Sequence, residues 1–94
     1  MSEEKRVKLV IFGIVQGVFY RTSAIKEAKM LTIVGWIKNR SDSSVECIAE
    51  GTRSNLEKFI SWCKNGPPHA KVERIDVEWL EPTNEFTNFE IKYY

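Results

Sequence analysis

Apolar and polar residues alternate with two different periodicities along this chain. Runs of β-prone apolar residues and period-two alternation predict strands, and apolar residues repeated at helical spacing predict helices. The predicted strands are residues 7–12, 33–38, 45–50, 72–80 and a short edge strand over 86–93, and the predicted helices are residues 21–31 and 54–64. The order is therefore βαββαβ with an additional terminal strand.

This order predicts an α/β (α+β) sandwich of the ferredoxin-like kind. Two strand–helix–strand crossovers of this length make their flanking strands parallel and place both helices on one face of a mainly antiparallel sheet. The length of 94 residues fits a single domain over residues 1–94. We expect the charged residues 1–6 to form a flexible N-terminus.

Local signals predict the ends of the second helix and the turn before the third strand. Ser54 is followed three residues later by Glu57, a spacing typical of a capping box at a helix start. Gly66 supplies a helix stop, and Pro67 cannot continue the helix. Residues 40–44 are rich in turn-forming side chains and predict a hairpin.

The charge balance and the apolar runs exclude several classes of protein. There are 14 basic and 13 acidic residues without a basic block, which argues against nucleic-acid binding driven by counterion release. Residues 1–6 lack the apolar stretch of a signal peptide, and no apolar run approaches the roughly 20 residues of a membrane span. We therefore expect a cytoplasmic protein with no membrane and no nucleic-acid partner.

The side chains that commonly hold metals are isolated in this sequence. Cys47 and Cys63 have neither metal-like nor redox-like spacing, and each continues an apolar stripe, so we interpret both as small core residues. His69 is the only histidine and lies in a proline-flanked connection. The sequence thus predicts no metal site and no cofactor.

The segment from Gly13 to Arg21 is the most informative stretch of the chain. Its two glycines connect an apolar strand to a helix, and such a connection can aim backbone N–H groups and the positive helix end at an anion. Arg21 adds a planar fork of donors, which suits a phosphate. The segment matches neither the nucleotide-binding nor the dinucleotide-binding glycine pattern, so a tight turn beside a surface arginine is the competing interpretation.

Three blocks of sequence together favour the anion site. They are Gly13-Ile14-Val15-Gln16-Gly17-Val18-Phe19-Tyr20-Arg21, then Gly35-Trp36-Ile37-Lys38-Asn39, then Gly66-Pro67-Pro68-His69-Ala70-Lys71-Val72. In this order, and over residues 7–91, the chain closely resembles the acylphosphatase family. The family blocks read Gly-x-Val-Gln-Gly-Val-x-Phe/Tyr-Arg, Gly-Trp/Tyr-x-x-Asn and Gly-Pro-x-x-Ala-x-Val.

The resemblance implies an acylphosphatase, an enzyme that hydrolyses the carboxyl-phosphate bond of acyl phosphates to a carboxylate and inorganic phosphate. It implies that Arg21 binds the phosphate, that Asn39 orients the attacking water, and that Asn39 lies close to the loop. Backbone N–H groups would cradle the phosphate oxygens along a loop made of Val15, Gln16, Gly17, Val18, Phe19 and Tyr20. We expect a metal-independent monomer.

Several side chains near these blocks have structural interpretations. We expect Gln16 to make a loop-stabilising hydrogen bond, with contact to the ligand as the alternative. We expect Phe19 and Tyr20 to be packing residues, with contact of Tyr20 to the acyl side of the substrate as the alternative, and Trp36 to pack in the core or on the sheet surface. The loop from Gly13 to Arg21 contains no aspartate or glutamate that could act as an aspartyl nucleophile.

Three other functions compete with this interpretation. An RNA-recognition module shares the βαββαβ order, but the third strand has no aromatic residue and carries two carboxylates, Glu46 and Glu50. A module of a larger carbamoyl-transfer protein would carry further domains, whereas this sequence ends at Tyr94. A binding protein without turnover is disfavoured by the presence of Arg21 and Asn39.

Thr32 departs from the family pattern. The first helix of the family normally ends in Leu-Gly, with the glycine in a left-handed conformation, whereas this chain has Leu31 followed by Thr32. Either Thr32 adopts the left-handed conformation at a cost of about 1–2 kcal/mol relative to glycine, which is the interpretation we favour, or the helix ends differently and Thr32 avoids positive φ. Ser43 raises the same question, since the family commonly has glycine after aspartate in that turn.

Overall fold

The computed structural model describes residues 3–93, which form two helices and one five-stranded sheet. The elements are β1 (Glu4–Ile14), α1 (Tyr20–Met30), β2 (Val34–Asn39), β3 (Val45–Thr52), α2 (Arg53–Asn65), β4 (Lys71–Leu80) and β5 (Phe89–Lys92). The strand order is β4-β1-β3-β2-β5. The first three pairings are antiparallel and the β2–β5 pairing is parallel, so the sheet is mixed. The predicted fold class and element order are confirmed.

The core lies between one face of the sheet and the two helices. Alternate residues of β1, namely Val7, Leu9 and Ile11, are fully buried, and their partners in β3 are buried with them. Both helices contribute residues to this core, and the buried residues of the helices are Tyr20, Ala24, Ala28, Leu56, Phe59, Ile60 and Cys63. These three residues form the inward face of β1.

Both cysteines belong to this core, as predicted. Cys47 and Cys63 have no exposed surface and are not joined in a disulfide. Burial raises the pKa of each thiol well above its usual value. Neither side chain is a thiolate at neutral pH, which is consistent with a packing role.

The predicted N-cap of the second helix is wrong by two residues. Thr52 is the N-cap of α2, and its hydroxyl oxygen accepts a hydrogen bond of 3.1 Å from the N–H of Asn55. Ser54 therefore lies inside the first turn and caps nothing. The predicted stop is confirmed, because Gly66 has a φ of 68° and its N–H donates to the carbonyl of Trp62 at 2.8 Å.

The prediction of a flexible segment over residues 1–6 is wrong for Glu4 to Arg6. These residues belong to β1 and pair with the end of β3, whereas residues 1 and 2 lie outside the described residues. The Arg6 guanidinium contacts the buried carboxylate of Glu50 at 2.9 Å. The charged residues at this end of the chain therefore do not indicate a flexible segment, because the charge of Arg6 is paired with that of Glu50, which lies far away in sequence.

Glu50 also holds the connection between β4 and β5. Its two carboxylate oxygens accept hydrogen bonds from the backbone N–H groups of Thr83 at 2.9 Å and Asn84 at 3.1 Å. Burial raises the pKa of Glu50, but these backbone donors and the Arg6 guanidinium outweigh burial and hold that pKa below its ordinary value. The charged form of Glu50 is thus part of the folded structure.

We expect Glu50→Gln to destabilise the protein by about 2–3 kcal/mol, because it leaves Arg6 without its buried partner. A carboxyl group with a depressed pKa stabilises the fold above its unfolded pKa, near 4.5, and loses that contribution as the pH falls. Urea unfolding of the wild type should therefore show a loss of stability below this pH, and the variant should show a flatter profile. Glu78→Gln, at an exposed site, is the control; equal losses in both variants would contradict the role of Glu50.

Thr32 adopts the left-handed conformation with a φ of 56°, which is the first of the two alternatives left open by the sequence. The N–H groups of Ile33 and Thr32 donate to the carbonyls of Ala28 and Lys29, at 2.8 and 3.2 Å, which is the Schellman arrangement at the end of α1. Ser43 is also left-handed, with a φ of 76°. Both are non-glycine residues where glycine would be unstrained.

We expect Thr32→Gly to raise the free energy of unfolding by about 0.5–1 kcal/mol, because relief of strain exceeds the extra entropy of glycine in the unfolded chain. The measurement is the urea midpoint at constant m-value. Thr87→Gly, at an exposed residue outside the positive-φ set, should lower the midpoint instead. A lower midpoint for Thr32→Gly would show that strain at Thr32 is negligible.

Candidate active site

The loop after β1 begins with a close backbone approach. The pairing of β1 with β4 shifts register between Phe12 and Gly13, and Gly13 has a φ of 133°. A Cβ at Gly13 would lie 2.1 Å from the carbonyl oxygen of Lys71, so only glycine fits. Two residues later, Val15 is buried in the core. The close approach at Gly13 and the burial of Val15 together anchor the start of the loop.

Gly17 is required for a different reason. Its φ is 75°, a conformation that side chains disfavour, yet a Cβ there would meet nothing within 4 Å. The space in front of Gly17 is therefore open. The loop presents bare backbone to that space.

The start of α1 leaves its hydrogen-bond donors unused. Phe19 is the N-cap residue, no side chain caps this end, and the first turn contains no acidic residue. Within residues 3–93, the backbone N–H groups of residues 16–20 have no hydrogen-bond acceptor. Unpaired donors and the positive end of the helix dipole point to an anion at this position.

Gln16 fixes the loop to the neighbouring hairpin. Its side-chain Nε2 donates to the carbonyl oxygens of Arg40 and Ser44, both at 2.9 Å. The prediction of a loop-stabilising hydrogen bond is thus confirmed. Because Arg40 directly follows Asn39, the glutamine ties the loop to the end of β2.

Arg21 follows the N-cap by two residues and lines a cleft of about 210 Å³. The cleft is lined by Val15, Gly17, Phe19, Tyr20, Arg21 and Thr22. Among the described residues, Arg21 forms no ion pair with a carboxylate. Its guanidinium carbon lies 5.5 Å from the centre of the Tyr93 ring, so its charge is compensated only weakly.

Tyr20 and Phe19 lie on opposite sides of the chain. Tyr20 is buried, its hydroxyl donates to the carbonyl of Cys63 at 2.7 Å, and its ring lies 5.6 Å from that of Trp62. The packing role of Tyr20 is confirmed. The same prediction for Phe19 is wrong, because its side chain is 76% exposed. The left-handed N-cap turns Phe19 to solvent while the next residue occupies the core.

Asn39 is the last residue of β2 and pairs with Val45 on the face that carries the helices. Its side-chain oxygen Oδ1 is buried and has no hydrogen-bond partner within residues 3–93. A buried acceptor without a donor costs free energy, so this oxygen is suited to a donor from outside the chain, such as water.

Arg21 and Asn39 border different depressions of the surface. The depression at Asn39 has a volume of about 370 Å³, and its other lining residues are Lys8, Lys38, Arg40, Ser41 and Glu46. The hydrogen bonds of Gln16 to Arg40 and Ser44 connect the loop before Arg21 to the hairpin that follows Asn39. Lys8 and Lys38 were missed from the sequence, and strand alternation puts them on the open sheet face, opposite the face of Asn39.

Other side chains near the blocks have structural roles. Trp36 lies on the open sheet face, with Lys38 and Lys92 over its ring at 5.5 and 4.4 Å, which confirms surface packing.

In residues 3–93, no group of three or more His, Cys, Asp or Glu side chains is arranged to hold a metal ion. Neither described helix has the length and apolar content needed to cross a membrane.

The structure is a ferredoxin-like domain whose first helix begins without a side-chain cap, and comparisons with known proteins identify its family. The acylphosphatase family model matches residues 7–91. An acylphosphatase of Pelotomaculum thermopropionicum is 43% identical, covering 94% of this chain and 96% of that one. The crystal structure of acylphosphatase from Bacillus subtilis superimposes with a TM-score of 0.92 at 36% identity, covering 95% and 99%.

The chain therefore belongs to the acylphosphatase family. The family match, the relatives and the solved structure indicate acylphosphatase activity, which is hydrolysis of acyl phosphates. Full-length HypF, in a phosphate- and nucleotide-bound form, is also similar, with a TM-score of 0.88 at 30% identity. That match covers 98% of this chain but only 12% of HypF.

Proposed function

We propose that Arg21 and the backbone N–H groups of residues 15–20 hold the phosphoryl group of an acyl phosphate, and that Asn39 orients the attacking water. The uncapped start of α1 carries this proposal, because within residues 3–93 its donors lack acceptors and the nearby Arg21 forms no ion pair with a carboxylate. The buried Oδ1 of Asn39, which has no hydrogen-bond partner among the same residues, supports the water-binding role.

The chemistry requires little more than positioning and charge neutralisation. An acyl phosphate is a mixed anhydride, so its hydrolysis is strongly downhill, and phosphoryl transfer depends chiefly on orientation and electrostatics. The water oxygen bonds to phosphorus while the bond from phosphorus to the acyl oxygen breaks, releasing a carboxylate and inorganic phosphate. An amide is too weak a base to take the proton of the water, so a phosphate oxygen of the substrate accepts it.

The charge that develops in this step is concentrated on the phosphoryl oxygens and the leaving oxygen. Fixed N–H dipoles and a guanidinium do not have to reorient as that charge grows, which lowers the barrier. The planar fork of Arg21 can contact two phosphoryl oxygens at once. These groups therefore supply what a metal ion supplies in other phosphoryl-transfer sites.

The proposal extends to the setting of the enzyme. We propose a metal-independent, cofactor-free monomer in the cytoplasm, with a small-molecule acyl phosphate as substrate and no nucleic-acid or membrane partner. The absence of a basic block in the sequence supports the last point.

Hydrolysis of acetyl phosphate by the purified protein tests this function. We expect release of inorganic phosphate at the same rate with and without an excess of a strong metal chelator, because the site neutralises charge with its own donors. A matched sample with added Mg²⁺ serves as the control. Activity that disappears with chelator and returns with Mg²⁺ would assign the reaction to metal-assisted chemistry instead.

A further inference from the structure

Phe19 has two features that do not help the fold. Its φ of 65° and ψ of 24° place it in the left-handed region, which bulky residues rarely adopt. Its ring is 76% exposed, so the side chain buries little apolar area. Glycine would take this conformation without strain, so folding alone does not explain a phenylalanine here.

Strain and exposure coincide at the mouth of the phosphate cleft. Phe19 lines the cleft together with Arg21 and Gly17, whose backbone faces open space. The other aromatic lining residue, Tyr20, is turned into the core and donates its hydroxyl to Cys63. Phe19 is therefore the aromatic side chain of this cleft that a ligand can reach. Backbone strain that persists at such a place points to a role in binding.

We propose that Phe19 recognises the acyl group of the substrate and favours flat apolar acyl groups, aromatic ones above all. This inference rests on the proposed function, which fixes the phosphoryl end of the substrate between Arg21 and the loop backbone. The part of the substrate left to extend along the cleft wall is then the acyl group. An exposed phenyl ring offers it a flat apolar surface.

The chemistry of the ring sets the expected preference. Aromatic groups pack against phenylalanine in offset or edge-to-face contact and remove apolar area from water on both partners. An acetyl group is too small to make that contact. The left-handed N-cap holds the Phe19 backbone in one conformation, which limits the ring positions and reduces the entropy lost on binding.

The experiment compares kcat/KM for benzoyl phosphate and acetyl phosphate in the wild type and in Phe19 variants. We expect Phe19→Gly to lower the benzoyl-to-acetyl ratio about tenfold, and Phe19→Tyr to keep the ratio near that of the wild type. The ratio is the readout because the backbone of Phe19 belongs to the phosphate loop, so a change in loop geometry would affect both substrates. Thermal unfolding of each variant verifies that it is folded.

Two controls separate this role from others. Met30→Ser removes a side chain of similar exposure, 78%, at the opposite end of α1, and should leave the ratio unchanged. Tyr93→Ala removes the other exposed ring near Arg21. A ratio that stays within twofold in Phe19→Gly, or that falls only in Tyr93→Ala, would overturn the proposal. A wild type inactive on both substrates would instead refute the proposed function.

Discussion

Replacing Arg21 with alanine is expected to remove nearly all turnover of acyl phosphates and to abolish binding of inorganic phosphate. Loss of a charge-assisted, bidentate contact in a partly desolvated cleft costs roughly 3–5 kcal/mol, which corresponds to about two to four orders of magnitude in kcat/KM. The fold should remain intact, because Arg21 has no ion-pair partner in residues 3–93. The measurements are kcat/KM, phosphate inhibition and the thermal midpoint.

Two further variants sharpen the test of Arg21. Arg21→Lys should also be poor, because a point charge cannot reproduce the guanidinium fork. Lys26→Ala removes a positive charge from an exposed position on the same helix and should stay close to the wild type. If Arg21→Ala kept more than about a tenth of the wild-type activity, Arg21 would not be the anion-binding residue.

The sequence predicted the elements of the fold because their signals are local. The apolar run over residues 7–12 predicted the centre of β1, and the glycine at position 66 marked the end of α2. The first residues of β1 could not be predicted in this way. Arg6 looks like part of a charged terminus until the folded chain brings Glu50 to it, and a contact between residues 44 positions apart leaves no local pattern.

The cap of α2 shows a second limit of local patterns. Both Thr52 and Ser54 are good N-cap residues, and only Ser54 has a glutamate three positions later. The structure instead caps at Thr52, and the backbone N–H of Arg53 donates to the carbonyl of Glu3 at 3.0 Å. The start of the helix is therefore tied to the residue before β1, a contact that local patterns do not reveal.

Some features of the candidate site could likewise be predicted from the sequence, and others could not. The glycine positions, Arg21 and the hydrogen bond of Gln16 could be anticipated from the loop and the family blocks. The exposure of Phe19 could not, because the sequence does not say which of two adjacent aromatic residues occupies the single core position. Tyr20 takes it because its hydroxyl finds a carbonyl acceptor at Cys63.

Asn39→Ala is expected to lower kcat by about 100-fold or more while leaving the affinity for inorganic phosphate nearly unchanged. Asn39 would hold the water and Arg21 the anion, so only the orientation of the nucleophile is lost. The stability should not fall, because the Oδ1 of Asn39 has no hydrogen-bond partner in the described residues. A positioning role therefore predicts an unusual combination, with kcat reduced but phosphate inhibition and the urea midpoint preserved.

Asn65→Ala is the matched control, since Asn65 is an exposed amide at the end of α2 and should change none of these quantities. Asn39→Asp adds a negative charge beside the phosphate and should weaken phosphate binding as well as turnover. Comparing the loss of turnover with the loss of phosphate affinity separates the role of Asn39 from that of Arg21. If Asn39→Ala weakened phosphate affinity as much as Arg21→Ala does, Asn39 would be part of the anion site, and another group would have to position the water.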